Sequence, residues 1–250
     1  MGVLVQREFV VDRDDRREFE RQSSQALWPN MRYNGAQMVA FGTWAMGGTG
    51  DVVITHSAYA DFDHWTATRP WGAYATDASR IEETKELRAV FAGRNRLIQH
   101  SRARTIFYDD DRSEPSPFYR NNGDELSPLP ATFGRQSVVS ETTYNVAPDE
   151  REMLLEACDA VWAWQVEQSA RLLIVGADPL GSPGNVVAFV AYRTISDWEA
   201  SIRALVTDAP DHVLKATAER DRAAAIQSTR LLMVQTDHGG AVQALERNRP

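Results

Sequence analysis

The side chains best suited to chemistry lie in the first third of the chain. His56 stands in an alternating apolar run, where a neutral imidazole with an ordinary pKa of about 6.5 could act as a general base. Arg7 stands in an earlier run, and its guanidinium could hold an anionic or enolate oxygen with two hydrogen bonds. The other candidates are Tyr33, Asn34, Trp44, His64, Trp65, Trp71 and Tyr74. This grouping predicts an aromatic-lined pocket with His56 as the base. Arg7 and Tyr33 or Asn34 would polarise an oxygen, and the remaining side chains would contact a substrate.

The same residues also have a purely structural interpretation. A histidine on a strand can be a core residue bonded to a backbone carbonyl, and Arg7 can pair with a carboxylate. Tryptophan and tyrosine are core residues by default, and His64, early in a predicted helix, is expected to be exposed. The excess of aromatic residues in one part of the chain favours the pocket.

An internal duplication positions these residues. The segment Met38–Tyr74 reads as strand, glycine turn, strand and helix, and Leu172–Leu205 repeats that order. Aligning Gly50-Asp51-Val52-Val53 with Gly184-Asn185-Val186-Val187 places His56 opposite Val190, Trp44 opposite Asp178 and His64 opposite Trp198. The second copy is more aliphatic at these positions. We therefore predict that the first copy holds the pocket and that the second completes the fold.

Each copy is predicted to follow the order β-α-β-β-α-β of a ferredoxin-like unit. In the first copy the strands are Val3–Val11, Gln37–Ala45, Asp51–Ala58 and His100–Tyr108, and the helices are about Arg16–Leu27, Asp61–Thr68 and Ser79–Arg94. In the second copy the strands are Val138–Val146, Arg171–Gly176, Asn185–Arg193 and Thr229–Thr236, and the helices are Pro148–Gln168, Ser196–Val206 and Asp211–Ile226. The predicted fold class is α+β: domains at 1–108 and 136–237, a proline-rich acidic linker at 109–135, and a polar tail at 238–250.

Composition narrows the functional class. A formal net charge of −8 argues against a nucleic-acid partner. No apolar run reaches the roughly 18 residues of a membrane span, and the first residues lack the pattern of a secretion signal, so we expect a cytoplasmic protein without a membrane partner. A single cysteine, Cys158, cannot form an internal disulfide and is expected to be buried and inert. No metal-binding spacing occurs, so we expect neither metal nor cofactor.

Several segments together resemble the NIPSNAP branch of the dimeric α+β-barrel superfamily. They are Arg7 with Phe9, Arg17-Glu18-Phe19, the two hairpin ends aligned above, Ala60-Asp61-Phe62 with Ile195-Ser196-Asp197-Trp198, and Trp71-Gly72-Ala73-Tyr74. The resemblance implies two tandem ferredoxin-like domains whose four-stranded antiparallel sheets pack face to face into a barrel. It also implies kinship with cofactor-free monooxygenases of aromatic polyketides, polyketide cyclases and tandem haem enzymes.

The residues and the resemblance together predict a cofactor-independent enzyme of monooxygenase, cyclase or lyase type. Its substrate would be a small hydrophobic or aromatic metabolite that is bound in the first domain. Natural-product biosynthesis is one setting for such a reaction. The alternative is a non-catalytic protein that binds a small molecule or another protein, with the aromatic cluster as core. A haem enzyme is a weaker alternative, because its candidate ligand, His212, lies in a polar segment. Exposed sheet edges would permit a homodimer.

Overall fold

The computed structural model describes residues 1–28, 31, 35–69, 81–114, 133–181 and 184–235. The first unit contains strands β1 (Gly2–Val11), β2 (Gln37–Met46), β3 (Val52–Tyr59) and β4 (Ile98–Tyr108), with helices α1 (Arg16–Gln22), α2 (Phe62–Ala67) and α3 (Ile81–Arg96). A π-helical turn, Ser23–Leu27, continues α1. The second unit contains β5 (Val138–Val146), β6 (Arg171–Ala177), β7 (Asn185–Tyr192) and β8 (Ala224–Val234), with helices α4 (Arg151–Glu167), α5 (Ile195–Thr207) and α6 (Asp211–Ala223). The duplicated α+β order is confirmed.

The eight strands close into one barrel in the order β1-β3-β2-β8-β5-β7-β6-β4. Each unit supplies a four-stranded antiparallel sheet, and the sheets join at two seams, β2 with β8 and β4 with β6. A glycine lies at each seam. A Cβ on Gly42 would lie 1.9 Å from the carbonyl oxygen of Met233, and one on Gly176 would lie 2.5 Å from that of Phe107. The edges that we expected to be exposed therefore pair with each other along these seams.

Side chains alternate along the strands between the interior of the barrel and its outer faces. This alternation gives one inner core and two outer cores. Inside the barrel lie apolar residues from both sheets, such as Leu4, Ile54, Val139 and Phe189. The helices cover the outer faces. Aromatic residues of α1, β1 and β2 form much of the outer core of the first unit, whereas α4 packs aliphatic and aromatic residues on the second. Among the described residues, no helix is long and apolar enough to span a membrane.

The pairing corrects the register of the duplication by one residue in its third strand. Gln6 pairs with His56, and the equivalent inward pair of the second sheet is Glu141 with Phe189. His56 therefore corresponds to Phe189 and not to Val190. The slip arises because both hairpin ends carry two adjacent valines that are buried on either face, so hydropathy cannot fix the register. The correspondence of Trp44 with Asp178 is confirmed by their positions two residues after the seam glycines.

The helix starts show the same slip. Asp61 caps α2 by accepting a hydrogen bond from the His64 backbone N–H, and Thr194 caps α5 by accepting one from that of Asp197. The helix that was predicted to begin at Ser196 therefore has its N-cap two residues earlier, at Thr194, and Trp65 rather than His64 is the counterpart of Trp198. At the end of the second unit β8 begins at Ala224, where a helix was predicted to continue to Ile226.

Candidate functional site

His56 lies on β3 with its side chain inside the barrel, and none of its surface is exposed. Its ring meets Phe189 edge-on at a centroid distance of 5.0 Å. The side-chain nitrogen of Gln6 lies 2.8 Å from His56 Nε2 and donates to Glu141 Oε2 at 2.6 Å. An amide nitrogen has two protons, so one goes to the carboxylate and the other to the imidazole. These contacts assign a neutral His56 that accepts at Nε2 and carries its proton on Nδ1.

The surroundings keep His56 uncharged. Burial lowers the pKa of His56 to about 4; the Glu141 carboxylate opposes this shift, while the guanidinium groups of Arg230 and Arg104 add to it. Nδ1 is buried and has no hydrogen-bond partner among the described residues. At neutral pH the ring is thus a neutral member of the barrel core.

A network of paired charges surrounds this histidine. Glu141 is 2% exposed, and its Oε1 accepts from Arg104 at 2.8 Å and from Arg230 at 2.6 Å. Arg104 also donates to Asp178 at 2.6 Å, and Glu8 accepts from Arg102 and Arg230. We call these six residues, with Gln6 and His56, the barrel network. Its three arginines and three carboxylates balance in charge, which is typical of a structural polar core.

The barrel network has an approximate twofold symmetry. Arg104 on β4 pairs with Gln6 on β1, and Arg230 on β8 pairs with Glu141 on β5. The two arginines are therefore counterparts. Each of these arginines contacts the residue that lies two positions after a seam glycine. Arg104 forms a salt bridge with Asp178, whereas the Arg230 guanidinium lies 4.1 Å above the ring of Trp44. Trp44 is therefore a barrel residue that supports Arg230 through a cation–π contact.

A cavity of about 250 Å³ opens beside the barrel network. Its lining residues are Gln6, Glu8, Arg102, Ala103, Arg104 and Arg230. His56 is not among them. The cavity is smaller than the roughly 300 Å³ of a typical small-molecule pocket, and its lining is polar.

Arg7 lies on the opposite face of β1 from Gln6 and Glu8, and its side chain faces the outer layer of the first unit. Burial lowers the pKa of Arg7, the positive charge of Arg69 lowers it further, and Tyr59 opposes the shift. His56 and Arg7 therefore lie on opposite faces of one sheet. The two residues therefore do not line one pocket, as the sequence predicted, but lie in two separate parts of the molecule.

Arg94, on α3, lies in the same outer layer and is 6% exposed. Its Nε donates to Ser23 Oγ at 2.7 Å, in the π-helical turn, and its guanidinium lies 4.0 Å from the ring centroid of Phe19 and 4.6 Å from that of Phe9. Burial lowers the pKa of Arg94 to about 9, and the charge of Arg7 contributes. An interruption of an α-helix by a π turn is frequent at functional sites.

Arg69 is the third arginine of this layer. Its guanidinium lies 4.6 Å from the ring centroid of Trp65, and Nη2 donates to the Tyr59 hydroxyl at 3.2 Å. Arg69 Nε and Trp65 Nε1 are buried and have no hydrogen-bond partner in the part of the chain that the structure describes. Within the described residues, this layer thus holds donors that lack acceptors.

We call Arg7, Arg69 and Arg94 the arginine cluster. Within the described residues none of the three forms a salt bridge, and their hydrogen bonds go only to the hydroxyls of Ser23 and Tyr59. Their charges therefore repel one another, and no described carboxylate neighbours them, which is the reverse of the barrel network.

His64 is buried, so the expectation of an exposed side chain is wrong. It is 7% exposed, and its Nδ1 accepts a hydrogen bond from the backbone N–H of Ala60 at 3.0 Å. Its ring meets Tyr59 edge-on at 5.7 Å. The capping of α2 turns the side chain back onto β3, and this local geometry gives His64 a role in shaping the β3–α2 turn.

The outer layer of the second unit lacks an equivalent of the arginine cluster in the part that the structure describes. Thr142 takes the position of Arg7, and Arg220, the counterpart of Arg94, forms a salt bridge with Asp221. Cys158 is buried there, and burial raises the pKa of its thiol to about 12, so it is unreactive as expected. This layer is a filled core.

Four predicted site residues, Tyr33, Asn34, Trp71 and Tyr74, lie outside the described residues. Sequence reasoning overlooked Arg69 and Arg94, which look like ordinary charged residues of helical segments. It also overlooked Arg104 and Arg230, although a signal exists: each precedes the last four residues of the fourth strand of its unit. Among the described residues no group of three or more histidine, cysteine, aspartate or glutamate side chains could hold a metal ion.

The sequence matches no protein-family model and no curated protein. Solved structures do resemble the chain. A "putative monooxygenase" from Lactobacillus acidophilus NCFM aligns over 94% of this chain and 96% of its own, with 9% identity and a TM-score of 0.59. An "anthrone oxidase-like protein" aligns over 93% and 91%, with 11% identity and a TM-score of 0.54. The chain has the dimeric α+β-barrel fold.

A NIPSNAP domain protein from Burkholderia xenovorans aligns over 38% of this chain and 92% of its own, with 21% identity and a TM-score of 0.34. That alignment covers one part of the chain only. Both units together align with the monooxygenase-like structures.

Proposed function

We propose that this protein is a cofactor-independent enzyme of monooxygenase type, acting on a small aromatic metabolite held between the sheet and the helices of its first unit. The observation that carries the proposal is the arginine cluster. Within the described residues, buried and partly buried cations without counter-charges occupy a layer that the second unit fills with a packed core. Natural proteins retain such costly groups mainly where a function needs them.

The cluster suits oxygen chemistry because it would stabilise the anionic form of an ionisable substrate. An acidic CH₂ group beside a ring carbonyl loses a proton to give an enolate, and buried cations lower the free energy of that anion. The electron-rich enolate can react directly with dioxygen. In the balanced reaction, CH₂ plus O₂ gives C=O plus H₂O: the carbon is oxidised by four electrons and O₂ is reduced by four. No cofactor is needed to carry the electrons.

Residue roles follow from the two separate faces. We propose that Arg7 holds the substrate oxygen, assisted by Tyr33 or Asn34, and that Trp65, Trp71 and Tyr74 contact the substrate rings. His56 and Trp44 lie inside the barrel, so we propose that they support the fold rather than touch this substrate. His64 would act through the β3–α2 turn. Names of the similar structures, "putative monooxygenase" and "anthrone oxidase-like", make this class the first to test.

An oxygen electrode provides the test. Protein freed of metals with a chelator and checked for flavin and haem by absorbance is mixed with anthrone and related ionisable ring ketones. We expect oxygen uptake equal to product formed, with at least a tenfold loss in Arg7→Gln. The matched control is Arg220→Gln in the second unit, which should keep its activity. Uptake that depends on added metal or flavin, or that Arg7→Gln leaves unchanged, would reject the proposal.

One observation favours a second candidate, a binding protein without catalysis. The described residues place no carboxylate or other evident base against the arginine cluster. Such a site could hold an anion without transforming it. Tight binding of a substrate analogue with no oxygen uptake and no product across the panel would support this candidate.

A further inference from the structure

We infer that the arginine cluster is a binding site for a small organic oxyanion, a carboxylate or phenolate carried on a flat ring. This inference adds the class of the ligand to the proposed function, and it rests on the proposed function only for the reaction. Binding of the ligand can be measured without turnover.

The charge of the layer requires an anion. Arg7 and Arg94 are mutually repelling and desolvated, and the described residues provide no carboxylate for them. In the barrel network of the same molecule every arginine, although none is fully buried, has a carboxylate within hydrogen-bond distance. The fold can therefore pair its arginines, and an external anion would be the partner that the described residues do not supply to the cluster.

The free hydrogen-bonding groups of the arginine cluster itself and of Trp65 are donors, although a buried acceptor, Gln22 Oε1, also lacks a partner among the described residues. Arg94 uses Nε for Ser23, which leaves its two terminal amino groups without a partner among the described residues. Arg69 Nε and Trp65 Nε1 also lack acceptors. A ligand that offers oxygen lone pairs would satisfy them, whereas a cation or a ligand made only of donors would not.

The shape of the cluster favours a flat ligand. Phe9 and Phe19 hold the Arg94 guanidinium, and Trp65 supports that of Arg69, so these charges are fixed in orientation by rings. A planar guanidinium held in this way binds a planar carboxylate or phenolate oxygen with defined geometry. The exposure of Arg7 is intermediate, so a ligand can reach the cluster from the solvent.

Benzoate and its neutral isostere benzamide are suitable probes. We expect calorimetry and thermal unfolding to show that benzoate binds and raises the melting temperature, that benzamide does neither, and that inorganic phosphate competes weakly. Arg7→Gln should weaken benzoate binding at least tenfold, and Arg220→Gln should change it less than twofold. Because the lowered pKa of Arg94, about 9, still lies above both values, the affinity should be nearly the same at pH 6 and pH 8.

Several outcomes would overturn the inference: equal binding of benzoate and benzamide, phosphate binding tighter than benzoate, or unchanged affinity in Arg7→Gln. If that variant fails to fold, benzoate competition by chloride in the wild type replaces it, and insensitivity to chloride overturns the inference. Selective benzoate binding without oxygen uptake would sustain this inference and reject the proposed reaction. Oxygen uptake without benzoate binding would do the opposite.

Discussion

The molecule has two groups of partly or fully buried arginines, and the two groups differ in their partners. Inside the barrel, Arg104 and Arg230 share Glu141, and each has a further carboxylate or ring as support. On the outer face of the first unit, Arg7, Arg69 and Arg94 have only hydroxyls, rings and one another. The difference teaches that burial of a charge does not identify a site. We propose that a site is marked instead by the absence of a partner for that charge among the described residues.

The largest expected effect concerns the barrel network, in which the arginines are paired with carboxylates. Glu141→Gln removes the shared carboxylate and leaves two partly buried guanidinium groups with a neutral acceptor. Breaking a buried ion pair in this way typically costs roughly 3–5 kcal/mol of unfolding free energy. Urea unfolding measures it. Glu199→Gln, which removes the partner of Arg203 on the exposed surface of α5, is the control and should cost less than about 1 kcal/mol. Equal costs would show that the barrel network is not a structural core.

A second effect concerns His56, whose pKa is lowered to about 4 in the folded protein. The unfolded state, with an ordinary pKa of about 6.5, binds more protons between these values, so the folded state loses stability as the pH falls through that window. The shift corresponds to about 3 kcal/mol, fully present above pH 6.5. Urea unfolding of the wild type and His56→Gln at pH 7 and pH 4.5 isolates it. A variant with the wild-type pH dependence would refute the neutral assignment.

The smallest expected effect has the opposite sign. Arg7→Met should raise the unfolding free energy of the ligand-free protein by about 1 kcal/mol, because it removes a desolvated cation repelled by Arg69 and Arg94. The same variant should lose benzoate binding. Arg104→Met in the barrel network is the matched control and should destabilise, because it leaves Asp178 and Glu141 with fewer donors. Destabilisation by Arg7→Met would mean that the cluster has a structural partner.

The sequence permitted the fold to be predicted because its local signals agree. Alternating strands, the glycine turn and the acidic helix starts of both copies placed nearly every element within a few residues. The hairpin register was off by one because all residues of β3 are buried, so neither face is distinguished by hydropathy. The same burial concealed which way His56 points.

Only part of the candidate site could be predicted from the sequence. Arg7 was identified from its strand, but its partners Arg69 and Arg94 come from separate helical segments that only the tertiary fold brings to one layer. The closure of β4 on β6 and of β2 on β8 likewise depends on pairing between distant segments. Local patterns carry no record of such contacts, so the barrel network could not be predicted as a network.

The balance of the barrel network has a consequence for how the two halves recognise each other. The first unit supplies Glu8, Arg102 and Arg104, one positive charge in excess, and the second supplies Glu141, Asp178 and Arg230, one negative charge in excess. Two copies of either half would enclose unbalanced like charges, and only unlike halves neutralise each other. The charges that the two units contribute to the barrel network are therefore complementary, and this complementarity favours the packing of one unit against the other over the packing of two copies of the same unit.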